Sequence, residues 1–184
     1  MFVPTHEHIA REALEIAGVG PKDLVVDLGC GDGRFLVAAA KYFDAKAVGI
    51  EIRKNLASKA RERVQRLGLK DLVEVVQGDM FDFDLRSASV VTLYQLPKVN
   101  AMLRVKLEQE LSPGSRVVSL DFPVPGWLPV KVKAFYDPYY QKFRRAYLYV
   151  VPSGQENLPS KISVSTPTPL VLPSLNRKRC PTYP

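Results

Sequence analysis

Val25-Val26-Asp27-Leu28-Gly29-Cys30-Gly31-Asp32-Gly33 is the stretch on which the fold turns. Its apolar first half, beginning at Leu24, has the length and β-branched content of a buried strand. Three glycines at alternate positions then open a tight loop, because glycine enters backbone angles that other residues avoid. Residues 34–42 continue as a helix. Strand, glycine loop and helix in that order begin a crossover unit, and such a loop presents backbone amides at a helix N-terminus.

The pattern extends in both directions. Upstream, Thr5 is placed to cap a first helix with Ile9, Ala13 and Ile16 on one face. Downstream, residues 47–50 form a second strand ended by Glu51. Residues 55–67 form a helix with Leu56, Ala60, Val64 and Leu67 at helical spacing, stopped by Gly68. Residues 73–77 and 90–93 are the third and fourth strands. Pro97 opens another helix at a position where proline is tolerated, with Val99, Met102, Leu103, Leu107 and Leu111 as its apolar stripe. After the Pro113-Gly114 turn, residues 116–120 are a fifth strand, and 131–135 and 146–151 are two more, expected to pair antiparallel. The alternation predicts an α/β fold: a Rossmann-like, doubly wound, mainly parallel seven-stranded sheet with an antiparallel C-terminal strand pair. Ligands bind such sheets beyond the carboxyl ends of the strands.

Composition sets the frame. The 184 residues are 46% hydrophobic, enough for one domain, which the pattern places at 1–151. Residues 152–184 hold seven of the fifteen prolines and no helical period, so they read as an extended or disordered basic tail. That tail carries +3 of the net +7; its Arg177-Lys178-Arg179 run reads as a solvated terminus. No apolar run reaches the roughly 18–20 residues that cross a bilayer, and the N-terminus lacks the pattern of a secretory signal. The expectation is a cytoplasmic enzyme with no membrane partner. Cys30 and Cys180 make no disulfide framework, and His6 and His8 lack further ligands at metal spacing, so no metal is expected. There is no Gly-x-Ser-x-Gly and no Gly-x-x-x-x-Gly-Lys-Ser/Thr, which removes support for a serine hydrolase or a nucleotide triphosphatase.

The chemistry sits at strand ends. Dinucleotide enzymes use G-x-G-x-x-G, whereas residues 29–33 read G-x-G-x-G with Asp27 two positions before. S-adenosylmethionine has no pyrophosphate. It offers a carboxylate for the amides of the loop at Gly29, Gly31 and Gly33, and an ammonium group for Asp27. Glu51, at the end of the second strand, is placed to accept from both ribose hydroxyls of an adenosine. In Gly78-Asp79-Met80, Asp79 can accept from the adenine amino group and Met80 can lie against the ring through its polarizable sulfur.

Together these residues resemble the class I, seven-strand methyltransferases. A narrower resemblance spans residues 2–151. Phe2-Val3-Pro4-Thr5, the stretch from Asp27 to Arg34, Gly49-Ile50-Glu51, Val91-Thr92-Leu93-Tyr94-Gln95-Leu96, Val99-Asn100, Arg116-Val117-Val118-Ser119, and Phe122 followed by Pro125-Gly126-Trp127 are similar to the small archaeal protein-lysine methyltransferases and their mitochondrial relatives. The tail has no counterpart there. The resemblance implies S-adenosylmethionine as cofactor, a protein with accessible lysines as partner, and methyl transfer to a lysine side-chain amine.

At the end of the fourth strand, Tyr94 and Gln95 are the expected catalytic pair, Tyr94 contacting the amine and Gln95 accepting from it. Asp121 is a weaker candidate for taking its proton. Thr5, Tyr94 and Trp127 are the expected acceptor-binding residues, although Trp127 also reads as packing. Tyr136, Tyr139 and Tyr140 cluster in a loop that either borders the acceptor or packs on itself. Two alternatives stay open. One is an RNA or small-molecule methyltransferase, which the basic charge permits. Enzymes that methylate base amines usually carry Asn/Asp-Pro-Pro-aromatic after the fourth strand, where this chain has Tyr94-Gln95-Leu96-Pro97. The other is a non-catalytic module that binds S-adenosylmethionine. Nothing in the sequence signals an oligomeric state.

Overall fold

The structure, a computed structural model, describes residues 5–152. Within them the elements run α1 (Glu7–Ile16), β1 (Leu24–Leu28), α2 (Arg34–Phe43), β2 (Lys46–Glu51), α3 (Lys54–Arg66), β3 (Val73–Gln77), β4 (Val90–Leu93), α4 (Pro97–Glu110), β5 (Arg116–Leu120), β6 (Lys131–Asp137) and β7 (Lys142–Val150). The strands make one sheet in the order β3-β2-β1-β4-β5-β7-β6. β1 to β5 are parallel, and β7 runs antiparallel to both β5 and β6. This is the doubly wound sheet the sequence predicts. The winding reverses at β1, with β2 and β3 to one side and β4 and β5 to the other, which leaves a crevice at its carboxyl end.

Side chains alternate across each strand, so one sheet face takes Val25 and the other takes Val26 and Leu28. The first face is covered by α1, α2 and α3 through Ile9, Leu14, Leu36 and Ala60. The second is covered by α4 through Leu103 and Leu107. No described helix is long and apolar enough to cross a membrane.

Four local expectations are corrected. Thr5 does not cap α1: His6 holds the N-cap position, and no side chain bonds there. In α4, Met102 is exposed, and Asn100 joins Leu103 and Leu107 on the buried face. Asn100 is tolerated inside because its amide nitrogen donates to Ser119 Oγ and to the carbonyls of Phe122 and Pro123. Leu67 is exposed just past the end of α3. Finally, β7 begins at Lys142 and not at residue 146, because its charged first residues belong to the hairpin with β6. The expected tail, apart from Pro152, and Phe2-Val3-Pro4 lie outside the described residues.

Candidate active site

The glycine loop is folded back onto the sheet. The amides of Gly29 and Cys30 both donate to the Ile50 carbonyl at 2.9 Å, and the Gly31 amide donates to Glu51 Oε2 at 3.0 Å. The Gly33 amide closes on the Cys30 carbonyl at 2.9 Å. The glycine amides expected to meet a carboxylate are therefore engaged within the protein, and the loop serves as a shaped wall. Glycine is needed at its two ends. Gly29 has φ 85°, and a Cβ there would lie 2.1 Å from Gln95 Nε2. Gly33, with φ 82°, starts α2, and a Cβ would press Ala60 at 3.1 Å. Left-handed backbone costs other residues about 1–2 kcal/mol.

Two buried acids flank the loop. Asp27 accepts from Thr92 Oγ1 at 2.7 Å and is almost wholly buried at the cavity wall. Burial pushes its carboxyl up to about 7, against the Thr92 hydrogen bond and with the charge of Glu51 adding. A buried acid of this kind favours a cation beside it. Glu51 is also buried, which alone would raise its carboxyl. Hydrogen bonds from the Arg53 side chain and amide, with the Gly31 amide, overcome that and hold it below the usual range. Burial, with Asp27 and Glu51 nearby, pushes the Cys30 thiol far up, so it is no nucleophile at neutral pH. Asp32 pairs with Arg34 and Arg63, and Arg34 Nη1 donates to the Thr5 carbonyl at 3.1 Å, pinning the entry segment over the loop.

Two cavities open along this wall. One, of about 450 Å³, is lined by Thr5, Asp27, Arg34, Tyr94, Val99 and Phe122 among others. The second, of about 320 Å³, is lined by Glu51, Ile52, Gly78, Asp79, Met80 and Phe81. Gly29, Arg53 and Gln95 border both. The expected cofactor residues Asp27 and Gly29 thus face the first cavity, and Glu51, Asp79 and Met80 the second. Asp79 is exposed and accepts from the Phe81 amide. Gln95 Nε2 donates to the Leu28 carbonyl at 2.8 Å, which leaves Oε1 as its acceptor.

On the other bank of the crevice, Tyr94 is half-buried, with the guanidinium of Arg144 4.9 Å from its ring centre. Burial chiefly raises its phenol, to about 12, with the Arg144 charge opposing and a hydrogen bond with Asp121 adding. Asp121 takes Arg144 Nε at 2.7 Å, and the partner at the far end of the guanidinium is Asp137. Tyr139 and Tyr140 pack on each other and on His6, next to this cluster, while Tyr136 pairs with Phe143 on the surface. Trp127 has other neighbours: its indole donates to Glu108 and packs edge-on against Tyr149, and it lines neither cavity. Among the described residues, no cluster of histidine, cysteine, aspartate and glutamate is placed to hold a metal.

Sequence reasoning gave no role to Arg34, Arg53, Phe122 or Arg144, although Arg34 and Phe122 stand in stretches that carry the resemblance. Arg34 and Arg53 closely follow residues it had singled out, so position alone was a signal for them. Phe122 is placed by Asn100, a contact 22 residues apart. For Arg144, strand parity with Ala146 and Leu148 was the available signal.

Comparison with known proteins places this geometry. The model of the ANTKMT methyltransferase domain matches residues 27–131. A protein-lysine N-methyltransferase of Saccharolobus islandicus is 44% identical over 151 residues, 82% of this chain and 92% of that one. The adenine nucleotide translocase lysine N-methyltransferase of Mus musculus is 39% identical over 59% of this chain, which spans only 47% of that protein's length. A crystal structure of a Salinibacter ruber protein described as an RNA methyltransferase, in complex with S-adenosyl-L-homocysteine, superimposes with a TM-score of 0.78 at 41% identity, over 85% of this chain and 99% of that one. With its sheet, its glycine loop and its paired cavities, the chain belongs to the ANTKMT methyltransferase-domain family.

Proposed function

We propose that this chain is an S-adenosylmethionine-dependent protein-lysine N-methyltransferase. The observation that carries the reading is the Saccharolobus islandicus relative, named for that activity and matched over nearly its whole length. The two cavities joined at Gly29 and Gln95 suit a cofactor with an amino-acid end and an adenosine end. In this reading Asp27 faces the ammonium group and Arg34 the carboxylate. Glu51 takes the ribose hydroxyls as the half-exposed Arg53 side chain yields. Asp79 and Met80 border the adenine. When bound, S-adenosylmethionine supplies an electrophilic methyl group, and its transfer to an amine leaves S-adenosylhomocysteine. The chain's own residues prepare the amine. Lysine has a reference pKa near ~10.4, so a slot walled by Tyr94, Leu96, Val99 and Phe122 favours loss of its proton by desolvation. Tyr94 also offers an aromatic face to the cation before that loss. Holding the amine in line is worth on the order of 7–11 kcal/mol in favourable cases.

A second reading, an RNA acceptor, is favoured by the description of the Salinibacter ruber structure. Labelled S-adenosylmethionine separates the two. The protein is incubated with cell lysate, and samples are treated with protease or with ribonuclease. Label lost to protease and recovered as methyl-lysine supports the proposal; label lost only to ribonuclease sinks it. A cytoplasmic setting belongs to the same proposal, and cell fractionation tests it.

A further inference from the structure

Arg144 is the bulkiest of the fully buried side chains among the described residues. Removing a guanidinium from water costs several kcal/mol, and apolar residues would anchor a hairpin as well without that cost. Its bonds point to another use. Nε donates to Asp121 at 2.7 Å and Nη1 to Asp137 at 3.3 Å, while the buried Nη2 has no hydrogen-bond partner. The cation lies 4.9 Å from the centre of the Tyr94 ring. Asp121 is itself held in place: it sits at φ 61°, its amide donates to the Arg145 carbonyl at 2.6 Å, and its Oδ1 accepts from the Arg145 amide. Burial chiefly keeps the Tyr94 hydroxyl protonated at neutral pH, and the Asp121 carboxylate nearby acts in the same direction.

We propose that Arg144 is a positioning residue for methyl transfer, holding the Tyr94 ring and the Asp121 carboxylate so that the Tyr94 hydroxyl directs its proton to Asp121 and turns a lone pair to the acceptor amine. The inference rests on the reading that the acceptor is a lysine amine beside Tyr94. A neutral amine must keep its nitrogen lone pair for the methyl carbon. A hydroxyl free to rotate would donate to that lone pair and block attack. With the phenol proton directed to Asp121 in this arrangement and Gln95 Nε2 committed to Leu28, Tyr94 Oη and Gln95 Oε1 are left as acceptors for the amine. Its N–H groups bind them, and the lone pair is left for the methyl group. Catalysis by orientation is sensitive to such errors, since a misplacement of ~1 Å can cost about 10²-fold.

The test is a double-mutant cycle between Arg144→Lys and Tyr94→Phe, with Asp121→Asn beside it. Rates are read with one purified lysine-bearing protein that the wild type methylates, together with S-adenosylmethionine affinity, thermal stability and the 13Cζ signal of Tyr94 in tyrosine-labelled, cofactor-free protein. Arg144→Lys keeps the charge but loses the planar fork. It is expected to lower kcat by about 10–100-fold, with cofactor affinity changed less than about twofold, and to move the Tyr94 signal. In the Tyr94→Phe background the same change is expected to cost less than about threefold more, because coupled residues are not additive. Asp121→Asn, nearly isosteric but able to donate, is expected to lower kcat while KM for the acceptor holds. Equal losses in both backgrounds, or an unchanged kcat in a folded Arg144→Lys or Asp121→Asn protein, would overturn the proposal. A wild type that puts no label into lysine defeats the functional reading instead, while the Tyr94 signal still reports whether Arg144 sets the ring.

Discussion

On the β1–β3 side of the crevice, the groups that face the cavities follow strand ends in strict chain order: Asp27 and Gly29, then Glu51, then Gly78, Asp79 and Met80. On the β4–β7 side, Tyr94, Asp121, Asp137 and Arg144 come from four elements and meet only because β7 turns back between β5 and β6. The first bank is made largely of backbone, with side chains added at its edges. The second is made of side chains that hold one another. The first is therefore expected to resist single changes except where a glycine or a buried acid is touched, whereas the second depends on each member.

The largest effect is expected on the second bank. Asp137→Ala leaves Arg144 buried with one partner fewer and removes the acceptor of the Tyr139 and Tyr140 amides, so stability should fall by about 3–5 kcal/mol in denaturant melts. A loss below about 1 kcal/mol would show that the cluster is not interdependent.

On the first bank, Asp27 is raised from 3.8 to about 7. The folded protein keeps that proton while the unfolded chain has already released it. This residue therefore makes stability fall as pH rises from about 4 to 7, by ~1.4 kcal/mol for each pH step of one, about 4 kcal/mol at most. Asp27→Asn should remove that slope, and above pH 7 the cofactor-free variant should be the more stable; parallel curves for the two proteins would refute this. The same ionisation should strengthen wild-type affinity for a cationic cofactor as pH rises through 7.

Glu51→Ala should weaken S-adenosylmethionine binding by roughly 10–100-fold in calorimetry, the worth of hydrogen bonds to a charged group, and unchanged affinity would remove Glu51 from the ribose site. The smallest effect belongs to Trp127→Phe. Loss of the indole bond to Glu108 should lower stability by about 1 kcal/mol and leave KM for the acceptor unchanged. A raised KM at unchanged stability would restore Trp127 to the acceptor site.

The same contrast explains what could be read from the sequence. The first bank was legible because its residues are contiguous or sit at strand ends, where one topology rule places them all. Even there, the use of the glycine amides was misread. Spacing shows that a loop is tight, and not that Ile50 and Glu51 already occupy its donors. Arg144 was hidden in Lys142-Phe143-Arg144-Arg145, a run that looks solvated. Only strand parity separates it from the exposed Arg145, and its two acids lie 7 and 23 residues away. Asn100 was passed over for Met102 because polarity argued against burial, yet three acceptors on the β5 side wait for its amide.

β7 follows every other described strand in the chain, yet in the sheet it lies between β5 and β6. During synthesis the glycine loop, Glu51 and Asp79 therefore leave the ribosome long before Arg144 does. β6 cannot join the sheet until β7 arrives to bridge it to β5, and the β5–β7 pairing spans 26–34 residues and closes late. A chain stopping before residue 142 has every residue that lines the two cavities but lacks the strand whose Arg144 packs on the Tyr94 ring.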